Sequence, residues 1–413
     1  MIKIKTKWRI PDKFDLVAIL YFMILFPFIQ QRTLEELPRI ATLYKAATLL
    51  ASACIIAYVC IMNRIRVRGD IVLHVAFWGI YFVSSLIYSQ RSIPRVLYNS
   101  IVFLSMMVFL YAFIKKNLQM ILRILSYIYG AFIYLNFILD FVFPNGLYKT
   151  ADYHAAHLLG DDNAVVYVAL PGLVIMACYS ILAYGKIKYP VWGAALITEI
   201  SLIRVWSVSA MAMLTMFIFL MIFVTKVGNI DHRLLLGGVL CAMFICLFGL
   251  SNSSVQAFIV NVLHKDATLS GRTILWAGAL KMISLQPLLG YGGYYEYGRF
   301  STSEAFTYSC HTPYLQLMID GGILLFAVFV LIVFRAFRQM RHHKNNVYLG
   351  IMSVGMACMM INYITEQVRF YHLFLIVALM MNIDAFPDTT AKEFGRERNA
   401  FDNIFQRIKD ICR

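Results

Sequence analysis

The sequence predicts an all-α, polytopic membrane protein with about twelve transmembrane helices and one long extracytoplasmic loop that contains a helix. Of the 413 residues, 61% are hydrophobic and 14% are charged, and the mean hydropathy is +0.70. These values lie far outside the range of soluble globular domains. Apolar runs approaching the roughly 20 residues needed to cross the hydrocarbon core of a bilayer recur along the chain. A lipid bilayer is therefore the expected environment.

Twelve apolar runs mark the predicted spans. They are Phe14–Gln30, Ile40–Met62, Ile71–Ser89, Arg95–Ile114, Met120–Phe143, Ala164–Tyr184, Tyr189–Ile203, Ser207–Lys226, Leu234–Leu250, Pro313–Phe334, Val347–Ile364 and Phe370–Ala385. The predicted organisation is a basic N-terminus (1–13), nine spans (14–250), a loop (251–312), three spans (313–385) and a tail (386–413). The first run lacks a small-residue cleavage site, so we expect it to stay attached as a span. The two runs flanking Arg204 are alternatively one re-entrant element.

The distribution of positive charge predicts the orientation. The net charge is +15, with 37 lysines and arginines against 22 acidic residues. In a soluble protein this balance would suggest a nucleic-acid partner, but in a membrane protein lysines and arginines in short loops set the orientation. Of the 37, 25 fall on the N-terminal side of the predicted spans. Both termini are therefore predicted to be cytoplasmic, and no nucleic-acid partner is expected.

The long polar interruption at residues 269–322 is the expected functional region. Arg272 lies in the first turn of a predicted surface helix. Thr312 suits the cap and Pro313 the first position of the next apolar helix, and His311 stands just outside that start. Backbone N–H groups and the positive end of a helix dipole, together with a guanidinium, make a plausible anion site.

Two ordered blocks in this region carry a resemblance. The first reads SGR…W…AL.MI…PLLGYG, and the second reads H-x-x-Y-L-Q followed by an acid and glycine. Together they resemble the signature of the bacterial O-antigen ligase and polysaccharide polymerase (Wzy-type) family. Thr312 stands where the family often has asparagine, and Asp320 replaces a glutamate. The resemblance implies a glycosyltransferase that needs no metal or other cofactor and moves an oligosaccharide from polyprenyl diphosphate to an acceptor hydroxyl.

The resemblance implies roles for three residues. Arg272 would bind the diphosphate, the alternative being an arginine that reaches lipid head groups. His311 would act as general base on a sugar hydroxyl or donate to phosphate, the alternative being a surface histidine beside a helix cap. Asp320 would assist from the same helix, unless it makes a structural hydrogen bond or marks tight packing at the following glycines.

Further candidates would contact the diphosphate or the glycan. The family often has a Ser-Arg pair where this chain has Ser209-Ala210, and the arginine is displaced to Arg204. Arg204 alternatively pairs with Glu199, itself a candidate substrate contact. Aromatic rings could stack on sugar faces or form an interfacial aromatic belt; the candidates are Tyr291, Tyr294 and Tyr314.

Polar residues within the spans indicate a cavity. Most lie toward the predicted outer leaflet, among them Asn136, Asp140, Asp320 and Glu366. Intramembrane ionisable groups usually face a cavity or a partner, so we expect a polar cavity that opens outward beneath the loop.

Metal and disulfide chemistry have weak support. The group His154, His157, Asp161 and Asp162 has a metal-like composition, but its spacing fixes no third ligand, and no metal site is expected. Cys310 is the one cysteine in the long loop and has no partner there for a disulfide framework.

Several function classes remain open. We favour a polymerase that joins lipid-linked repeat units of a capsule, exopolysaccharide or O-antigen on the outer face of the inner membrane. A flippase and chain-length regulators are then possible protein partners. The alternatives are a ligase that delivers finished glycan to lipid A core or another acceptor, and a transporter or flippase of lipid-linked glycans.

Overall fold

The computed structural model describes residues 16–29, 38–61, 69–149, 155–160, 164–227, 230–248, 272–293, 300–302, 305–307, 310–343, 346–366 and 370–389. Helices dominate these residues. They are α1 (Leu16–Leu25), α2 (Pro38–Ile61), α3 (Gly69–Tyr88), α4 (Ile93–Val142), α5 (Ala164–Tyr184), α6 (Tyr189–Arg204), α7 (Val208–Val227), α8 (His232–Phe248), α9 (Arg272–Leu285), α10 (Pro313–His342), α11 (Val347–Asn362) and α12 (Tyr371–Met381). Short 3-10 turns occur at Phe26–Phe28, Gln90–Ser92 and Ile383–Ala385.

The helices coincide with the predicted spans, with one merger. Helix α4 covers two of them and breaks between them at Asn117, whose backbone is not helical (φ −129°, ψ 28°). Within the described residues, six helical segments are long and apolar enough to cross a membrane: Ile40–Ile61, Gly69–Tyr88, Gln90–Val142, Ala164–Tyr184, Val208–Lys226 and Pro313–His342. The polytopic helical class is confirmed in this coarser form, and the count of twelve crossings stays a prediction.

Two short antiparallel strand pairs depart from the purely α prediction. Strand β1 (Tyr148–Lys149) pairs with β2 (Ala155–Ala156), and β3 (Phe300–Thr302) pairs with β4 (Ala305–Thr307). The second pair lies in the predicted long loop. Both are local connections, in which strands of two or three residues satisfy each other's backbone hydrogen bonds.

Helix α5 lies at the centre of the bundle. It packs against α4, α6 and α11, and 89% of its most apolar stretch is buried within the protein. A helix that is hydrophobic on all sides is expected in such a position. The first turns of α5, α7 and α10 lie near the end of the bundle that is predicted to face the outside of the membrane.

Helices α3 and α10 run antiparallel and are tied at both ends. At one end Arg335 Nε lies 3.2 Å from Asp70 Oδ1. Toward the other end the hydroxyl of Tyr81 donates to Asp320 Oδ2. The charge rule placed Arg335 on the cytoplasmic side, and its pairing puts the start of α3 at the same end of the bundle.

Helix α10 is interrupted at Gly322, where φ is +66° and ψ is −167°. The segment 287–292, which follows α9, lies against this interruption. Its backbone hydrogen bonds are Tyr291 N to Ile319 O (2.7 Å), Gly292 N to Asp320 O (2.9 Å), Ile323 N to Pro287 O (2.7 Å) and Leu324 N to Leu288 O (3.4 Å). The interruption therefore lets the end of α9 bond directly to the α10 backbone. This contact fixes α9, which carries Arg272, relative to the helix that follows His311.

Candidate active site

Arg272 and Glu366 form an ion pair at the centre of the candidate site. Arg272 is the first residue of α9, and its Nη2 lies 2.9 Å from Oε1 of Glu366, in the turn after α11. The glutamate side chain is only 6% exposed and that of the arginine 20%. A buried charge is tolerated when it is paired and hydrogen-bonded. The sequence pattern placed Arg272 at a helix start, and the structure provides the buried acid beside it.

Two further side chains surround the glutamate. The hydroxyl of Tyr167 donates to Glu366 Oε2 at 3.1 Å, and that of Ser209 lies 3.5 Å from Oε1. Tyr167 comes from the first turn of α5 and Ser209 from the first turn of α7. Three parts of the chain that are distant in sequence therefore converge on the carboxylate of Glu366.

The residues on either side of His311 contact the elements that carry this group. The carbonyl of Cys310 accepts from Trp276 Nε1 at 3.1 Å, and Trp276 follows Arg272 by one helical turn. On the other side, the hydroxyl of Thr312 donates to the carbonyl of Tyr363 at 3.4 Å, in the turn that ends at Glu366. His311 is therefore held between the helix that carries Arg272 and the turn that carries Glu366.

The helix start beside His311 is confirmed, with one difference. Helix α10 begins at Pro313, and Thr312 has the extended backbone of an N-cap residue. Its hydroxyl makes no capping hydrogen bond with the helix and donates to the Tyr363 carbonyl. His311 has a φ of +55°, a left-handed conformation that costs a non-glycine residue about 1–2 kcal/mol. Such backbone strain is concentrated at functional sites.

Asp320 lies deeper along α10 and is engaged on both carboxylate oxygens. Oδ2 accepts from Tyr81, and Oδ1 accepts from Gln316 Nε2 at 2.8 Å. The residue is 4% exposed, and its own carbonyl accepts from Ser84 at 2.8 Å. These contacts favour the structural alternative, in which Asp320 joins α3, α10 and the 287–292 segment.

The structure describes two of the three tyrosines that were predicted to contact the glycan. Tyr314 is buried, and its hydroxyl donates to the carbonyl of Met360 at 2.6 Å. Tyr291 donates to the carbonyl of Met282 at 3.0 Å within the α9 connection. Tyr294 lies outside the described residues. The contacts of Tyr314 and Tyr291 are those of packing residues, and contact with a glycan remains a prediction for all three.

Arg204 is not brought to the Arg272 group. Its Nη1 donates to the carbonyl of Asp140, and its guanidinium carbon lies 5.6 Å from the centre of the Phe141 ring. Glu199 accepts from Thr215 at 2.8 Å. The alternative pairing of Arg204 with Glu199 is therefore replaced by a contact with the end of α4.

Asp140 organises a second polar group around Arg204. Its Oδ2 accepts from Ser201 at 2.8 Å, and its Oδ1 lies 3.4 Å from His157 Nε2. Burial lowers the pKa of His157 below 6.5; the Asp140 carboxylate opposes this shift, and the Arg204 guanidinium adds to it. These residues line a pocket of about 230 Å³, in the region where the polar pattern predicted a cavity.

Metal and thiol chemistry receive no support from the described part of the chain. There, no group of three His, Cys, Asp or Glu residues is arranged to hold an ion; His154, Asp161 and Asp162 lie outside it. Burial raises the pKa of the Cys310 thiol to about 12, which keeps it protonated and unreactive.

Comparison with known families agrees with the motifs. Residues 194–330 match the family model described as O-antigen ligase. The match runs from α6 into α10 and includes Arg204, Arg272, His311 and Asp320, whereas Glu366 lies beyond it. Comparison with curated proteins found no match, and neither did comparison with solved structures. Members of the matched family are glycosyltransferase-like enzymes, and the apolar helices indicate a membrane protein. Residues 194–330 of this chain are therefore similar to the O-antigen ligase (Wzy-type) family.

Proposed function

We propose that this protein is a polysaccharide polymerase that joins polyprenyl-diphosphate-linked oligosaccharide repeat units on the outer face of the bacterial inner membrane, with both termini in the cytoplasm. The observation that carries the proposal is the buried Arg272–Glu366 pair beside the strained residue His311, within and next to the matched family domain. The products would be capsule, exopolysaccharide or O-antigen chains.

The arginine would bind the diphosphate of the donor. A guanidinium has five N–H donors, and the contact with Glu366 engages Nη2. The planar fork suits the bidentate recognition of a phosphate. Burial strengthens this contact, because charge developing on the leaving diphosphate is poorly screened in a site from which water is largely excluded.

His311 would accept the proton of the acceptor hydroxyl. The freed oxygen attacks the anomeric carbon of the donor sugar, the bond from that carbon to the diphosphate oxygen breaks, and the electron pair leaves with the diphosphate. The proton remains on the imidazole until solvent removes it. The step needs no oxidant, and the group that leaves is the one that Arg272 would stabilise.

Glu366 would be a positioning residue in this arrangement. Its carboxylate fixes the guanidinium and is itself fixed by Tyr167 and Ser209. Asp320 would act at greater distance, by holding the 287–292 segment and thereby the end of α9. Neither carboxylate needs to touch the substrate for these roles.

Purified protein supplied with lipid-linked repeat units tests the proposal. A polymerase makes a ladder of longer glycans from the donor alone and releases polyprenyl diphosphate. A ligase makes no ladder and needs an added acceptor such as lipid A core. A transporter in sealed vesicles moves the lipid-linked glycan without forming a glycosidic bond, which would overturn the proposal.

A further inference from the structure

The pocket beside Arg204 has the donor and acceptor groups of a site for a hydroxyl-rich ligand. Arg204 provides N–H groups, Asp140 provides a carboxylate, and the hydroxyl oxygen of Ser201, whose O–H is donated to Asp140, can accept; Val165 and Val205 form apolar walls. With its lowered pKa, His157 is neutral at neutral pH and can both donate and accept. A sugar ring presents the same combination of hydroxyls and apolar C–H faces.

A strained tryptophan, Trp206, directly follows the pocket residue Val205 in the chain. Helix α6 ends in a Schellman motif, in which Trp206 N bonds to Ile203 O at 3.1 Å and Ser207 N bonds to Leu202 O at 3.0 Å. The residue at the left-handed position of this motif is usually glycine, but here it is Trp206, with φ +51°. In the described part of the chain, the only other non-glycine residue with positive φ is His311.

The indole gains little from packing at this position. Trp206 is 53% exposed, and the preceding residue, Val205, is a wall of the pocket. Because this strained conformation buries so little apolar surface, packing does not account for it. The exposed ring is available to contact a ligand. Aromatic side chains with one exposed face are well suited to bind flat apolar surfaces.

The pocket lies close to the proposed catalytic group. Val165 lines the pocket, and Tyr167, two residues later on α5, contacts Glu366. Residues two apart on a helix point about 200° from each other, so the two sites flank one helix, whose diameter is roughly 10–12 Å. The turn from Arg204 to Ser209 likewise connects the pocket to the carboxylate of Glu366. A glycan of a few sugar residues can span this distance.

We propose that the pocket of Asp140, His157, Ser201 and Arg204, together with the neighbouring Trp206, is a subsite that binds one sugar residue of the glycan substrate. The subsite rests on the proposed function and deepens it. The sugar can belong to the lipid-linked donor or to the acceptor, because both present the same hydroxyls.

Binding is tested directly, on the full chain in lipid nanodiscs. One probe is the soluble repeat-unit oligosaccharide released from the lipid-linked donor by mild acid. The other probe is farnesyl diphosphate, which carries a diphosphate and an isoprenoid but no sugar. We expect Trp206→Gly to weaken oligosaccharide binding about tenfold or more and to leave farnesyl diphosphate binding unchanged.

The glycine variant also separates recognition from folding. Glycine relieves the left-handed strain, so the Tm should stay the same or rise. Trp206→Phe keeps a ring and should retain most of the oligosaccharide affinity. Ser201→Ala is a second variant, expected to weaken oligosaccharide binding by removing the hydroxyl that holds the Asp140 carboxylate. Tyr189→Ala, at the 88% exposed opposite end of α6, is the control and should bind both probes normally.

Kinetics identify the source of the sugar. A raised KM for the lipid-linked donor in Trp206→Gly assigns the subsite to the donor glycan, and a raised KM for a soluble acceptor glycoside assigns it to the acceptor. Unchanged oligosaccharide binding in both Trp206→Gly and Ser201→Ala would overturn the subsite even if transfer is observed. If these variants lose oligosaccharide binding but the wild type shows no transfer, the result supports the sugar subsite and rejects the polymerase function.

Discussion

Arg272 and Glu366 are separated by 94 positions in the chain, and their side chains meet at 2.9 Å. The pair has two opposing effects on an anionic substrate. The carboxylate orients the guanidinium, but its negative charge also repels a diphosphate. Their balance makes Glu366 the most informative residue for mutation.

Glu366→Gln should slow turnover and tighten diphosphate binding. Glutamine keeps an oxygen that can accept from Arg272, while the repulsion toward the substrate disappears and the guanidinium is held less firmly. We expect a lower kcat together with an unchanged or lower KM for the donor. Steady-state kinetics check this, and a raised KM at unchanged kcat would contradict a positioning role.

Glu366→Ala should instead damage the fold. Removing one partner of a buried ion pair leaves an uncompensated charge and costs about 3–5 kcal/mol. Thermal unfolding of the variant in detergent measures the loss. The matched control is Asp384→Ala, because Asp384 pairs with His343 through a side chain that is 59% exposed and should change stability by less than about 1 kcal/mol.

Much of the fold could be predicted from the sequence, because a helix that crosses the hydrocarbon core of a bilayer needs a run of roughly 20 apolar residues. The helix that starts at Pro313 and the one that carries Arg272 were marked by local signals. In the sequence, Glu366 is only one of several polar residues near the predicted outer ends of the spans. Its pairing depends on tertiary packing between α9 and the α11 turn, which no local pattern encodes. Tyr167 had no signal at all, because a tyrosine in an apolar span resembles any other core residue.

Two predicted site residues illustrate a different limit. Asp320 and Tyr314 were selected because they belong to the motif that begins at His311. A residue of such a motif can serve packing as well as chemistry, and in the structure both residues bond to protein groups. The sequence could not distinguish these reasons, because the Gly322 interruption and the segment that fills it are visible only in three dimensions.

Gly322→Ala should destabilise the contact between α9 and α10. The backbone at this position is in a region that is accessible almost only to glycine, and an added Cβ would collide with the Leu288 carbonyl. We expect a loss of at least about 1–3 kcal/mol and a fall in transfer activity. Gly79→Ala in α3 is the control, because its Cβ would meet no atom within 4 Å. Equal thermal stability of the two variants would contradict the assigned role of the interruption.

The membrane orientation can be tested with reporter fusions. The charge distribution predicts a cytoplasmic signal after Arg68, Lys116, Lys188 and Arg341. It predicts an exterior signal after Arg91, Lys149 and Arg299. An exterior signal at Arg341 would place the Arg272 group on the cytoplasmic side and would be incompatible with the proposed reaction.

His311→Ala should leave the protein folded in the membrane and reduce transfer about a hundredfold or more, as loss of a general base does. In the wild type, a histidine base must be neutral to act, so protonation of the imidazole should lower the rate at acidic pH. Turnover by His311→Ala that equals the wild-type rate would remove this residue from the reaction. His342→Ala, near the far end of α10, is the matched control and should transfer normally.

Arg272→Lys separates diphosphate binding from simple anchoring at lipid head groups. Lysine keeps the positive charge but lacks the planar fork, so a residue that clamps a diphosphate with two parallel N–H bonds should remain badly impaired as lysine. Losing one preorganised donor at a developing oxyanion costs about 2.7–4 kcal/mol, or roughly a hundredfold to a thousandfold in rate. An anchoring residue would instead tolerate lysine, which reaches the head groups equally well.

The measurement is single-turnover transfer from the lipid-linked donor, with expression and Tm determined in parallel. Because lysine can still pair with Glu366, the charge balance of the site is preserved and the fold should be retained. A slow but folded Arg272→Lys would therefore reflect the geometry of the guanidinium and not a loss of stability. Near-normal transfer by this variant would exclude Arg272 from diphosphate recognition, and the buried pair with Glu366 would then be a purely structural tie between α9 and the turn after α11.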